Sequence, residues 1–153
     1  MSAAEDRLRA LGLTLPAVVP PVAAYVPAVR SGSFVYTSGQ LPMVDGALPA
    51  TGKVGGDVSP EQAHELARAC ALNALAAIKS VLGDLDDVVQ VVKVVGFVAA
   101  DPSFSGVPAV VNGASELLRA VFGDAGAHAR SAVGVAVLPL DAPVEVELVV
   151  QVR

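Results

Sequence analysis

Apolar residues recur along this chain with two different periods. Between 59 and 83, Ala63, Leu66, Ala67, Cys70, Ala71, Ala74, Leu75 and Ile78 repeat at three- and four-residue steps, which places them on one face of a helix. Ser59-Pro60-Glu61-Gln62 opens it: Ser59 caps, Pro60 takes the first helical position, and Gln62 can reach back to complete a capping box. Gly83 closes it. A second helix is predicted over 106–122 from the stripe Val110, Val111, Ala114, Leu117, Leu118, Val121 and Phe122, with Gly123 as its stop. The stretch 87–99, DVVQVVKVVGFVA, is β-branched almost throughout and reads as a buried strand. Two final strands, 129–138 and 144–152, are expected to form a hairpin through Leu140-Asp141-Ala142-Pro143. Strands 22–30 and 33–38 meet at Ser31-Gly32, and proline and glycine make 42–58 a loop. Ahead of these, 3–12 suits a short helix ended by Gly12, and Pro16, Pro20 and Pro21 force an extended arm. The order is β-β, helix, β, helix, β-β. It predicts an α+β fold: one sheet, both helices on one face, with residues 1–20 as an arm and 21–153 as the domain.

Length and composition narrow this picture. A chain of 153 residues suits one core. Its content is 54% hydrophobic but only 4% aromatic, so alanine and valine dominate. Some of that surface could be buried against other subunits, and composition leaves a valine-rich monomer equally open. A net charge of −5 and a pI near 4.8 disfavour nucleic acid, which needs clustered lysine and arginine. Cys70 is the single cysteine, excluding an intrachain disulfide and a cysteine-based zinc site, and its place in the apolar stripe suggests a buried small hydrophobe. Glu5, Asp6, Arg7 and Arg9 break the apolar run a signal peptide would need, and no segment reaches membrane-spanning length. A cytoplasmic protein is the expectation.

Candidate chemistry is sparse. Gly52-Lys53-Val54-Gly55-Gly56 lacks the pattern of a phosphate-binding loop. His64 and His128 have no metal-ligand spacing, and His64, outside the main stripe, reads as solvated. Nothing suggests a covalent nucleophile. What remains lies near the C-terminus. Arg130 opens an otherwise apolar strand, where it could pair with Asp124 or clamp a small carboxylate in bidentate fashion. Glu145 and Glu147 share one strand face, opposite Val144, Val146 and Leu148. That acidic face could be solvated, or could line a subunit contact where a carboxylate needs a partner.

The run from His128-Ala129-Arg130-Ser131 through Leu138-Pro139 to Val144-Glu145-Val146-Glu147, with Tyr25 and Val35-Tyr36-Thr37-Ser38-Gly39-Gln40-Leu41-Pro42 upstream, resembles the Rid (reactive intermediate deaminase, YjgF-like) family across about 22–152. The resemblance implies a chorismate-mutase-like fold, a homotrimer, and ligand sites in clefts between subunits. It also implies hydrolysis of reactive enamines and imines to 2-oxo acids and ammonia, with no metal or organic cofactor. Carried over by position, Arg130 would bind the substrate carboxylate and Glu145 would orient or activate water. Tyr25 would line the pocket, Ser38, Gly39 and Gln40 would supply contacts, Ser131 would accompany Arg130, and Asn112 would be the pocket asparagine. Departures include Ala23-Ala24 before the tyrosine, Ala132 two positions after the arginine, and Val111-Asn112-Gly113-Ala114-Ser115 in the second helix; these and the added N-terminal segment resemble a divergent branch. A regular final hairpin would put Glu145 near Leu138, roughly 25 Å from Arg130 at ~3.3 Å per residue, so the two could cooperate only across a subunit boundary. The alternatives are a non-enzymatic carboxylate-binding trimer and an endoribonuclease, the latter at odds with the acidic balance.

Overall fold

The computed structural model describes residues 2–153. Its elements run α1 (Ala3–Ala10), β1 (Ala28–Ser31), β2 (Phe34–Thr37), α2 (Pro60–Leu82), β3 (Val88–Ala99), α3 (Val107–Phe122), β4 (Ala129–Val135) and β5 (Val144–Val152). The five strands form a single mixed sheet in the order β1-β2-β5-β3-β4.

Local signals explain most of these boundaries. Ser59 Oγ accepts the Gln62 N–H at 3.1 Å, with Pro60 at the start of α2; only this half of the expected capping box forms. Gly83 at φ +85° and Gly123 at φ +62° end α2 and α3, a backbone region where glycine avoids the Cβ clash. Gly32, at φ +59°, turns β1 into β2 through a two-residue loop. The first strand is shorter than the predicted 22–30, because the chain bends at Ala23–Tyr25 and Pro27 before pairing begins at Ala28.

The predicted C-terminal hairpin does not form. β4 pairs in parallel with β3, β5 pairs antiparallel to β3 on its other side, and β4 and β5 never touch as neighbours. β4 also stops at Val135 rather than 138. The residues beyond it leave the sheet: Leu138 and Ala142 join Leu41 and Ala99 in a small apolar cluster, and a 3-10 turn at Pro139–Asp141 leads into β5.

Alternation along the strands sorts their side chains to two faces. Val94 and Val98 of β3, and Val144, Val146, Leu148 and Val150 of β5, are buried beneath α2 and α3. The helices approach closely because small residues allow it. A Cβ on Gly113 would lie 1.9 Å from the His64 carbonyl oxygen, and one on Gly96 would meet Val111 at 2.5 Å. The opposite face carries Phe34, Tyr36, Phe97, Val133, Glu145, Glu147 and Val149, and among the described residues no helix covers it.

α1 is part of the main core, which Ala4 and Leu8 enter. Ser2 caps it, and the Asp86 carboxylate accepts the Ala3 and Ala4 N–H groups at 2.8 and 3.0 Å. Arg7 donates to the Val121 carbonyl at 2.8 Å, and Glu5 pairs with Lys79.

Candidate functional site

The residues singled out in the sequence gather at two places. The first is where the arm meets the end of β2. Gln40 pairs with Val146 of β5 through two backbone bonds, N to O at 2.8 Å and O to N at 3.1 Å. This extends the β2 edge by a residue and sets Gly39 beside Glu145. A Cβ on Gly39 would lie 1.8 Å from Glu145 Oε1, so only glycine leaves room for the carboxylate. Ser38 fastens the arm: its Oγ donates to the Val26 carbonyl at 2.6 Å and its N–H to Pro27 at 2.8 Å. Tyr25 stands at the rim, its hydroxyl accepting the Val22 N–H at 3.3 Å. Tyr25, Gly39, Gln40, Met43, Pro139 and Glu145 surround a cavity of about 30 Å³, enough for a water molecule or so.

Glu145 is half-buried and makes no hydrogen bond among the described residues. Burial raises its carboxyl above the ordinary carboxylate range, and the negative charge of Glu147 raises it further. Cys70 lies behind the strand, fully buried with Sγ 3.7 Å from the Val144 carbonyl. Burial pushes its thiol well up, so it is an inert core group.

The second place is the edge strand β4. Arg130 does not pair with Asp124. Its side chain lies along α3, where Nη1 donates to Asn112 Oδ1 at 2.7 Å and to Ser115 Oγ at 3.3 Å, and Nη2 donates to the Pro108 carbonyl at 3.2 Å. A guanidinium has five donors. Nε–H and one Nη2–H are therefore without a protein acceptor among the described residues, and no carboxylate neutralises the charge. Ser131, the next residue, turns to the other face, opposite Val95.

The two places are separate within one chain. Arg130 is opposite Val94 and Glu145 is opposite Phe97, three residues apart along β3 and therefore on opposite faces. Two strand spacings and three residues separate their backbones by roughly 14 Å, not the 25 Å a hairpin would give, but the sheet itself stands between the side chains.

Of the groups that hold Arg130, sequence reasoning named Asn112 but missed Ser115 and the Pro108 carbonyl. Ser115 also touches His128, whose Nε2 lies 2.8 Å from its Oγ while Nδ1 lies 2.7 Å from the Gly126 carbonyl. The legible signal was the three-residue spacing of Asn112 and Ser115, which puts two polar groups on one side of a helix. His64, expected in solvent, bridges the helices instead, with Nε2 3.2 Å from Glu116 Oε2. Among the described residues, no cluster of three or more histidine, cysteine, aspartate or glutamate side chains could hold a metal ion, and no helix is long and apolar enough to cross a membrane.

A single mixed sheet backed by two helices is the layout of the chorismate-mutase-like class of small α+β proteins. The chain belongs to the family described as YjgF/chorismate_mutase-like, putative endoribonuclease, which matches residues 5–152. Protein TCP17 of Trypanosoma cruzi is 45% identical over 147 residues, covering 95% of this chain and 92% of its own. The crystal structure of Atu1372, a protein of unknown function from Agrobacterium tumefaciens, is 47% identical with a TM-score of 0.93, covering 99% of this chain and 93% of its own. That of E. coli TdcF with bound serine is 29% identical with a TM-score of 0.60, covering 87% and 91%.

Proposed function

We propose that this protein is an imine and enamine deaminase that hydrolyses small carboxylated intermediates to 2-oxo acids and ammonia, in clefts shared between three copies of the chain. The observation that carries the reading is the Arg130 guanidinium: anchored by three acceptors, unneutralised, and left with two unused N–H donors. Paired donors on a fixed cation suit a bidentate carboxylate, and the serine bound to E. coli TdcF is a carboxylated ligand of comparable size.

The remaining steps follow from the chemistry of a C=N bond. The carboxylate docks on Arg130, with Asn112 beside it; Ser131 points to the other face of β4 and stays outside this contact. An enamine tautomerises to the imine; water adds to the imine carbon, and the carbinolamine expels ammonia to leave the 2-oxo acid. Glu145 is the proton-transfer group, because a half-buried carboxyl with a raised pKa exchanges a proton more readily near neutrality than an exposed one. Tyr25, Ser38, Gly39 and Gln40 shape its side of the cleft. Since Arg130 and Glu145 lie on opposite faces of one sheet, they meet only if Glu145 comes from a neighbouring copy. The uncovered face, with Tyr36 47% and Val133 44% exposed, supplies the apolar contact for such an assembly.

The test is ammonia release from 2-iminobutanoate generated in situ, with Arg130→Ala as control. The expected result is release above the spontaneous rate by the wild type and none by the variant. A 2-oxo acid that raises Tm without any turnover would instead identify a carboxylate-binding trimer, and a wild type that does neither would reject both. Arg130→Lys is expected to behave like the alanine variant, because an ammonium cannot serve three acceptors and a carboxylate together.

A further inference from the structure

The setting of Arg130 continues one residue deeper. His128 Nδ1 lies 2.7 Å from the Gly126 carbonyl, and a carbonyl only accepts, so Nδ1 carries the proton. In the neutral ring Nε2 is then an acceptor, and Ser115 Oγ, 2.8 Å away, donates its one proton there. With that proton committed, Ser115 presents a lone pair to Arg130 Nη1–H at 3.3 Å. Each bond sets the direction of the next. The origin of the chain is rigid, since Gly126 is pressed against α3 so closely that a Cβ would lie 2.3 Å from the Leu118 carbonyl. We propose that His128 is a positioning residue which, through Ser115, fixes the plane in which Arg130 offers its two unused donors to a carboxylate, and that protonation of the ring loosens this grip.

The inference rests on the carboxylate-binding reading of Arg130. Protonation would turn Nε2 into a donor and force the Ser115 proton away from the ring, toward the guanidinium it now supports. The other charged groups on the elements packed around His128 are Arg130 on β4, Glu116 and Arg119 on α3, Asp124 in the turn before β4, and Lys93 on β3; none hydrogen bonds to the ring among the described residues. Charge alone predicts the opposite sign, because an added imidazolium would attract an anion. The direction of the pH effect therefore separates positioning from simple electrostatics.

The experiment measures 2-oxobutanoate binding by thermal shift and calorimetry at pH 8 and on acidification to pH 5.5, a range in which the ligand stays ionised. His128→Ala and Ser115→Ala are each expected to weaken binding at pH 8 by roughly five- to tenfold. The double variant should be no weaker than either single one, since both break the same chain. His128→Gln, whose side-chain oxygen can accept from Ser115, should bind within about twofold of wild type and lose the weakening that wild type shows on acidification. Tighter binding at low pH, or additive losses in the double variant, would overturn the proposal. The guanidinium itself supplies a ligand-independent readout. In ¹⁵N spectra, wild type and His128→Gln should show distinct, slowly exchanging Arg130 Nη signals that coalesce in His128→Ala and Ser115→Ala. If no carboxylate binds wild type, the carboxylate reading fails, while these signals still decide whether His128 fixes the arginine; unchanged signals in both alanine variants would reject that role.

Discussion

A carboxylate laid across a glycine depends on that glycine having no side chain. At Gly39 the obstacle to a Cβ is the far end of Glu145, a group that can swing aside, so Gly39→Ala should keep its fold and Tm while deaminase activity falls to the level of Glu145→Gln. Circular dichroism and the ammonia assay read the two halves of that expectation. Glu145 has a stability signature of its own. Burial, then Glu147, raises its carboxyl, and a group raised in the folded state contributes stability below its unfolded value that is lost as pH rises through the folded one. Ionisation thus opposes folding from just above the ordinary glutamate range of about 4.3 upward. Glu145→Gln should melt higher than wild type at pH 8, with the gap closing near pH 4; a gap that ignores pH would show that charge is not its cause.

The helix starts and stops were legible because their signals are local: Ser59-Pro60 at one end of α2 and Gly83 at the other decide the backbone without reference to anything distant. The two faces of β5 were legible for a similar reason, since alternation fixes which side chains share a face, but its register was not: Glu145 lies opposite Phe97 of β3 and not near Leu138. Strand neighbours were not legible either. Leu140-Asp141-Ala142-Pro143 looks like a hairpin turn, and nothing in the residues nearby reports that β3 will lie between the strands they join. Of the candidate site, Arg130 and Glu145 stood out as charges in apolar strands, while Ser115 and His128 did not, because a small polar residue on a helix gains meaning only from what a distant strand brings to it. Two further outcomes belong to this scale. Asp86 tethers the first turn of α1 through two backbone N–H groups, which holds its own carboxyl below the ordinary range. Asp86→Ala should cost about 1 kcal/mol in urea denaturation, a loss that shrinks as acid protonates the wild-type carboxylate. Gly113→Ala drives a methyl into the His64 carbonyl across the α2–α3 contact and should cost about 1–3 kcal/mol. A neutral result there would mean that the helices part more easily than their packing implies.

For the molecule as a whole, the proposed assembly and the proposed chemistry stand or fall together. Val133 lies on the uncovered face of an edge strand, so a charge there burdens an interface and not the core. Val133→Glu should leave a folded protein whose mass by light scattering drops to that of one chain and whose carboxylate response is lost; an unchanged mass would place the subunit contact elsewhere. The strand order carries a different lesson, about how the polypeptide comes together as it is made. Residues 144–152 supply the middle of the sheet, between β2 and β3, yet they are translated after every strand they join. Until they emerge from the ribosome, the β1–β2 ribbon and the β3–α3–β4 unit share no strand pairing and meet through α2, and their edges toward β5 stay open. The nascent chain therefore presents open strand edges until β5 follows, and removing this stretch would take out the strand on which the sheet is organised instead of trimming an edge.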